Sequence, residues 1–121
     1  MHINFKPKLE VVFYRSILGN EPVRDWLKSM VKEDKRTLGE NIKTVQFSWP
    51  LGMPLVRYLG NGLWEIRSAL PSKRIARIIF FTYQHIMILL HGFIKKSTKT
   101  PHHDIALANH RKKEIIRDLE L

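Results

Sequence analysis

Cysteine is absent from this 121-residue chain. Its absence excludes a disulfide framework, a thiolate nucleophile and a zinc–thiolate centre, and points to an intracellular home. Acidic residues are scarce too: 11 Asp and Glu stand against 21 Lys and Arg, a formal net charge of +10. Repeats, low-complexity tracts and linker-like stretches are missing, so a single domain over residues 1–121 is expected. Residues 1–8 lack the apolar core of a secretion signal. One run, Ile75 to Ile94, has the length of a membrane span. It holds Arg77, Gln84, His85, His91 and Gly92, and its Ile, Phe and Tyr content reads instead as two strands joined near Tyr83–His85. What is present is a basic domain of normal hydrophobic content, 44%, too apolar for a disordered tail and expected to be cytoplasmic without membrane attachment.

The positive charge is concentrated. Residues 57–99 hold eight basic side chains (Arg57, Arg67, Lys73, Arg74, Arg77, Lys95, Lys96 and Lys99) and one acid, Glu65. An excess confined to one third of the chain favours a polyanion site over a merely solvated surface. Nucleic acid leads, ahead of an acidic protein or an anionic membrane.

Leu9 to Tyr14 reads as an opening strand. Asn20-Glu21-Pro22 predicts a helix start with Asn20 as cap, followed by an apolar stripe of Val23, Trp26, Leu27 and Met30. Asp34 is expected to cap a second helix with Leu38, Ile42, Val45 and Trp49 inward, ended by Pro50 and Gly52. The tryptophans of both helices read as core. Strands are then expected at 55–59, 63–69, 75–83 and 86–95, with a hairpin at Asn61-Gly62. A last helix opens at Thr100-Pro101, with Thr100 as cap and a stripe of Ile105, Ala108, the Lys112 stem, Ile115 and Leu119. The class is α+β, with helices packed on a mainly antiparallel sheet.

Alternation places Glu65 and Arg67 on one sheet face and Trp64 and Ile66 on the other, with Arg77, Ile79, Phe81 and Tyr83 sharing a face. An arginine in an apolar strand needs an anion. Arg77 either pairs with Glu65 across the sheet or offers its guanidinium to phosphate. The stretch His91 to Pro101 sets three lysines and the hydroxyls of Ser97, Thr98 and Thr100 between a strand end and a helix start, where an anion is favoured. His91, His102, His103 and His110 invite a metal, but His102 and His103 diverge on a helix, and His103 and His110 lie ~10 Å apart along its axis. No metal or other cofactor is expected. Proton transfer suits these histidines better.

Trp64-Glu65-Ile66-Arg67, Arg77 in an Ile/Phe-rich strand, Leu89-Leu90-His91-Gly92-Phe93-Ile94-Lys95-Lys96, and Lys99-Thr100-Pro101 before a basic helix resemble the phage-derived, HigB-like branch of the RelE toxin superfamily. The resemblance runs through nearly the whole chain. It implies a RelE-like fold and the toxin of a type II toxin–antitoxin pair: an endoribonuclease cutting mRNA on translating ribosomes without metal. The implied partner is a HigA-like helix-turn-helix antitoxin, through which alone DNA would be met. Arg77 matches the family's strand arginine near the scissile phosphate, Arg67 the basic position of the preceding strand, and Lys95 or Lys96 the basic position after the last strand. The closing-segment catalytic residue falls at His102 or His103.

Such cleavage uses the ribose 2′-OH as nucleophile and needs charge stabilisation, which Arg67, Arg77 and Lys96 are expected to supply. Protons would be moved by His91, by His102 or His103, or by a lysine of depressed pKa. Arg57, Lys73, Arg74, Lys95, Thr98 and Lys99 are expected RNA contacts, and Tyr83 a stacking candidate. The competing reading is a non-catalytic RNA- or ribosome-binding module using the same face. A DNA-binding regulator ranks last, because no helix-turn-helix stands out.

Overall fold

The computed structural model describes residues 6–96 and 98–120, so residues 1–5 and the Ser97 hydroxyl lie outside the described residues. The elements are β1 (Glu10–Phe13), α1 (Pro22–Lys28), α2 (Lys32–Ser48), β2 (Val56–Gly60), β3 (Leu63–Ala69), β4 (Ile75–Tyr83), β5 (Ile86–Ile94) and α3 (His102–Leu119). β2 to β5 form the expected antiparallel meander. β1 joins it alongside β5 in parallel, giving one five-stranded mixed sheet in the order β1-β5-β4-β3-β2. A parallel pair cannot be closed by a tight turn; here α1, α2 and three strands separate its members in sequence.

The hairpin between β2 and β3 turns on Asn61 (φ 53°) and Gly62 (φ 74°), the two positive φ values a tight two-residue turn needs. β4 is central and buried from Ala76 to Phe81, which explains a run that is apolar apart from Arg77. On one face Ile66, Ile78, Phe80 and Leu89 pack against Val23, Leu38, Ile42 and Val45 of α1 and α2. On the other, Leu63, Ile79, Phe81 and Leu90 pack against Ala108, Ile105, Ile115 and Ile116 of α3. No helix among the described residues is long and apolar enough to cross a membrane.

Three capping expectations are corrected. α1 is preceded by Glu21, without a side-chain cap, while Asn20 closes the turn with Ser16. α2 begins at Lys32, two residues before Asp34. Asp34 is instead buried, accepting hydrogen bonds from the Ser72 N–H and from Arg74. The position before α3 belongs to Pro101, because the Thr100 hydroxyl is committed to Glu65 and Arg77. Trp49 lies just past α2 in extended backbone yet remains core, edge-on to Trp64 and Phe80 at 5.0 and 5.5 Å. At the far end of the α3 stripe, Leu119 is exposed.

Candidate nucleic-acid interface

The face of the sheet that carries α3 changes character along its strands. At one end it is Leu63, Ile79 and Phe81. At the other, Arg57 stands opposite Glu65, and Arg67 stands opposite Arg77. Glu65 and Arg77 are both fully buried, with Arg77 Nε 3.6 Å from Glu65 Oε1. The Arg77 guanidinium donates to the Thr100 hydroxyl (2.8 Å) and to the Thr98 carbonyl (3.0 Å), and the Thr100 hydroxyl donates to Glu65 (2.5 Å). Burial pushes the Arg77 pKa down and Glu65 pulls it back; arginine starts so high that it stays charged. Of the two roles open to Arg77, the structure realises the pairing with Glu65. The one acid of residues 57–99 is thereby consumed inside, and the surface of that segment presents cations without a carboxylate.

Those cations flank a groove. The Lys95 N–H donates to the Ile75 carbonyl at 2.7 Å, drawing the end of β5 against the start of β4. The turn before β4 brings Lys73, at φ 65°, and Arg74 to one wall. Lys95, Lys96 and Thr98 form the other, around a hollow of about 450 Å³ floored by Ile75 and Ile94. Asp34 holds the turn: hydrogen bonds from Ser72, and then Arg74 at 3.4 Å, keep its carboxyl below the usual range against the cost of burial. Arg67 is half-buried, and its Nε–H has no hydrogen-bond partner among the described residues.

A second hollow, about 410 Å³, lies beyond Lys96, which lines both. Its walls include Trp26, Phe93, His103 and Asp104. Asp104, nearly buried, sits 2.6 Å from His91 Nε2 and 3.2 Å from His103 Nε2. Burial lowers the His91 pKa, with the Asp104 hydrogen bond opposing, so His91 is a neutral donor to Asp104 near pH 7. His103 is solvent-exposed on the same carboxylate, the more accessible of the two for proton transfer. Gly92 makes the wall possible, since a Cβ there would lie 2.5 Å from the Trp26 ring.

The profile of the family described as phage-derived protein Gp49-like matches residues 25–113. The chain belongs to that family. The match reaches from α1 into α3 and so contains every residue of the groove and of the hollow beyond it. No curated protein matches the chain.

The Gp49-like fold brings together Lys73, Arg74, Lys95, Lys96 and Thr98, with His103 on the far side of Lys96 and His91 behind Asp104. It separates others. Tyr83, the expected stacking residue, closes β4 eight residues from Ile75, ~26 Å away at strand rise, and packs in the α3 cluster. Arg57 and Lys99 line a smaller hollow of about 230 Å³ with Tyr58 and Thr100. His102 is exposed and lines neither the groove nor the histidine hollow. Asp104 was missed from sequence. Its only signal is its place two residues after the His102 that starts α3; its approach to His91 depends on how α3 docks on β5.

Proposed function

We propose that this chain is a HigB-like toxin of the RelE superfamily, with that superfamily's fold: an endoribonuclease that cuts mRNA on the translating ribosome and arrests growth. One observation carries the reading beside the Gp49-like membership: Lys96 joins a carboxylate-free cationic groove to a hollow holding an exposed histidine on a carboxylate. In this scheme the phosphate backbone follows Lys73, Lys95 and Arg67. The 2′-oxygen forms a bond to phosphorus while the bond to the 5′ oxygen breaks, leaving a cyclic phosphate. The 2′-OH proton passes to His103, held by Asp104, and the 5′ oxygen takes a proton from the imidazolium or from the Lys96 ammonium. Lys96 and Arg67 offset the charge that grows on the phosphorane, usually the largest catalytic contribution. Arg77 holds Thr98 and Thr100 in place rather than touching phosphate. A HigA-like antitoxin would silence the toxin by laying an acidic segment in the groove.

A second reading has an observation of its own. Arg77, which the resemblance assigns to the scissile phosphate, spends its hydrogen bonds inside the protein, as a binding module without chemistry would allow. Mapping RNA ends after brief induction in bacteria separates the two. New ends inside coding regions, lost in Lys96→Ala and reduced in His103→Ala, are expected. Growth arrest with intact mRNA would replace the nuclease with the binding module.

A further inference from the structure

The groove does not stop at its lysines. Past Ile75, which lines both spaces, it adjoins a cavity of about 380 Å³ formed by Pro54, Leu55, Arg67, Ala69 and Ile75. Among the described residues, Arg67 is the only charged one in that lining. It stands directly across from Arg77, and like charges opposite each other on a sheet repel. Glu65 is taken by Arg77 and Thr100, and no carboxylate pairs with Arg67 among the described residues. An anion beside Arg67 would relieve that repulsion. The rest of the lining is aliphatic and open, with Pro54 and Ala69 exposed and Leu55 and Ile75 half-buried.

We infer that this cavity is a nucleotide subsite for single-stranded RNA, seating one nucleobase on Leu55, Ala69 and Ile75 while its phosphate meets Arg67. The inference rests on the RNA-directed reading of the groove and deepens it. A polyanion lacking bases would satisfy the lysines as well as RNA does, whereas an apolar-walled cavity continuous with a phosphate track suits a chain of phosphates that also carries flat, weakly polar rings. Every base has such a face, so contact of this kind tolerates sequence. The lining offers donors through Arg67 and aliphatic carbon elsewhere, so seating is by stacking and desolvation more than by base-edge hydrogen bonds.

Filling the cavity tests it. Ala69 ends β3 and is exposed, so Ala69→Ile adds bulk with little strain on the fold and offers a base no aromatic face; Ala106→Leu adds the same bulk at an exposed position of α3 outside the cavity. The ligands are a short fluorescent RNA with 2′-O-methyl riboses, which removes the attacking hydroxyl, and inorganic polyphosphate as competitor. Ala69→Ile is expected to weaken RNA binding about tenfold, the order of losing roughly 60 Å² of apolar contact, with polyphosphate affinity within twofold of wild type and Ala106→Leu unchanged for both. RNA affinity unaltered by Ala69→Ile would overturn the subsite, as would an equal loss for RNA and polyphosphate. Because binding is read without turnover, failure of RNA cleavage in cells would sink the nuclease and leave the subsite intact. The converse also holds.

Discussion

The two faces of the sheet use the same strands for different ends. Toward α1 and α2, β3 and β4 present Ile66, Ile78 and Phe80, and the layer carries neutral groups only, with buried Ser68 accepting a hydrogen bond from Asn41 of α2 at 2.8 Å. Toward α3 the same strands begin with Leu63, Ile79 and Phe81 and finish with Arg67 and Arg77. Only the second arrangement needs help to fold, because a buried charge must be paired and hydrogen-bonded. Glu65, Thr98 and Thr100 supply that help. A buried ion pair adds little net stability over apolar residues of the same shape. The charged end is therefore poorly explained as a stability device and better explained by what it places above it, the segment bearing Lys95, Lys96 and Thr98.

The largest effect should come from breaking that support. Arg77→Ala leaves Glu65 buried and uncompensated, and is expected to cost about 3–5 kcal/mol of folding stability by urea denaturation. A loss under ~1 kcal/mol would mean the charged end holds nothing together. Next comes Lys96→Ala, which is exposed and should leave stability within ~0.5 kcal/mol. Its cleavage rate should nevertheless fall on the order of 10²-fold. The pair must be measured together, since a cleavage defect in Arg77→Ala alone would report unfolding as readily as chemistry.

Much of this contrast was legible in the residues. Alternation assigned Trp64 and Ile66 to one face and Glu65 and Arg67 to the other, and the Asn61-Gly62 turn fixed the hairpin register. The cationic third of the chain marked the groove before any strand was paired. Elements whose partners are distant in sequence were not legible. The carboxylates of Asp34 and Asp104 look like helix-start residues by local spacing, yet Asp34 serves a turn 38 residues on and Asp104 a strand residue 13 back. Thr100 reads as a cap for the same reason, although Glu65, its acceptor, lies 35 residues away. Tyr83 shares a face with Arg77, but a face says nothing about which end of a strand a residue occupies.

A smaller effect probes the wall of the histidine hollow from the apolar face. Gly92→Ala would push a methyl to 2.5 Å from the Trp26 ring, which must shift with the start of the domain's first helix layer. Overpacking of this kind costs about 1–3 kcal/mol. The companion Trp26→Leu in the Gly92→Ala background should recover part of the loss. If the double variant is no more stable than Gly92→Ala alone, contact with Trp26 is not what excludes a side chain there.

The smallest effect is a pH dependence centred on His91, and its sign follows from burial. The folded-state pKa of His91 lies below its ordinary 6.5, chiefly because the ring is buried, with Asp104 opposing. As the pH falls, the unfolded chain therefore takes up this proton before the folded protein does. Stability is fully present above about 6.5 and declines as the pH drops through the folded value, after which this contribution levels off. Asp34, whose pKa is lowered from 3.8, acts only in stronger acid, and Tyr14, raised from 10.0, acts only in alkali, so neither enters the window. Nearby Arg111 and His103 add to the effect of burial, whereas Asp104 and the Phe93 ring stacked at 5.3 Å favour the imidazolium and only partly offset it. His91→Gln keeps a donor for Asp104 but cannot ionise. Urea midpoints measured from pH 7.5 down to 5.5 should fall more steeply for wild type than for His91→Gln, and parallel declines would show that His91 is not held neutral by its surroundings.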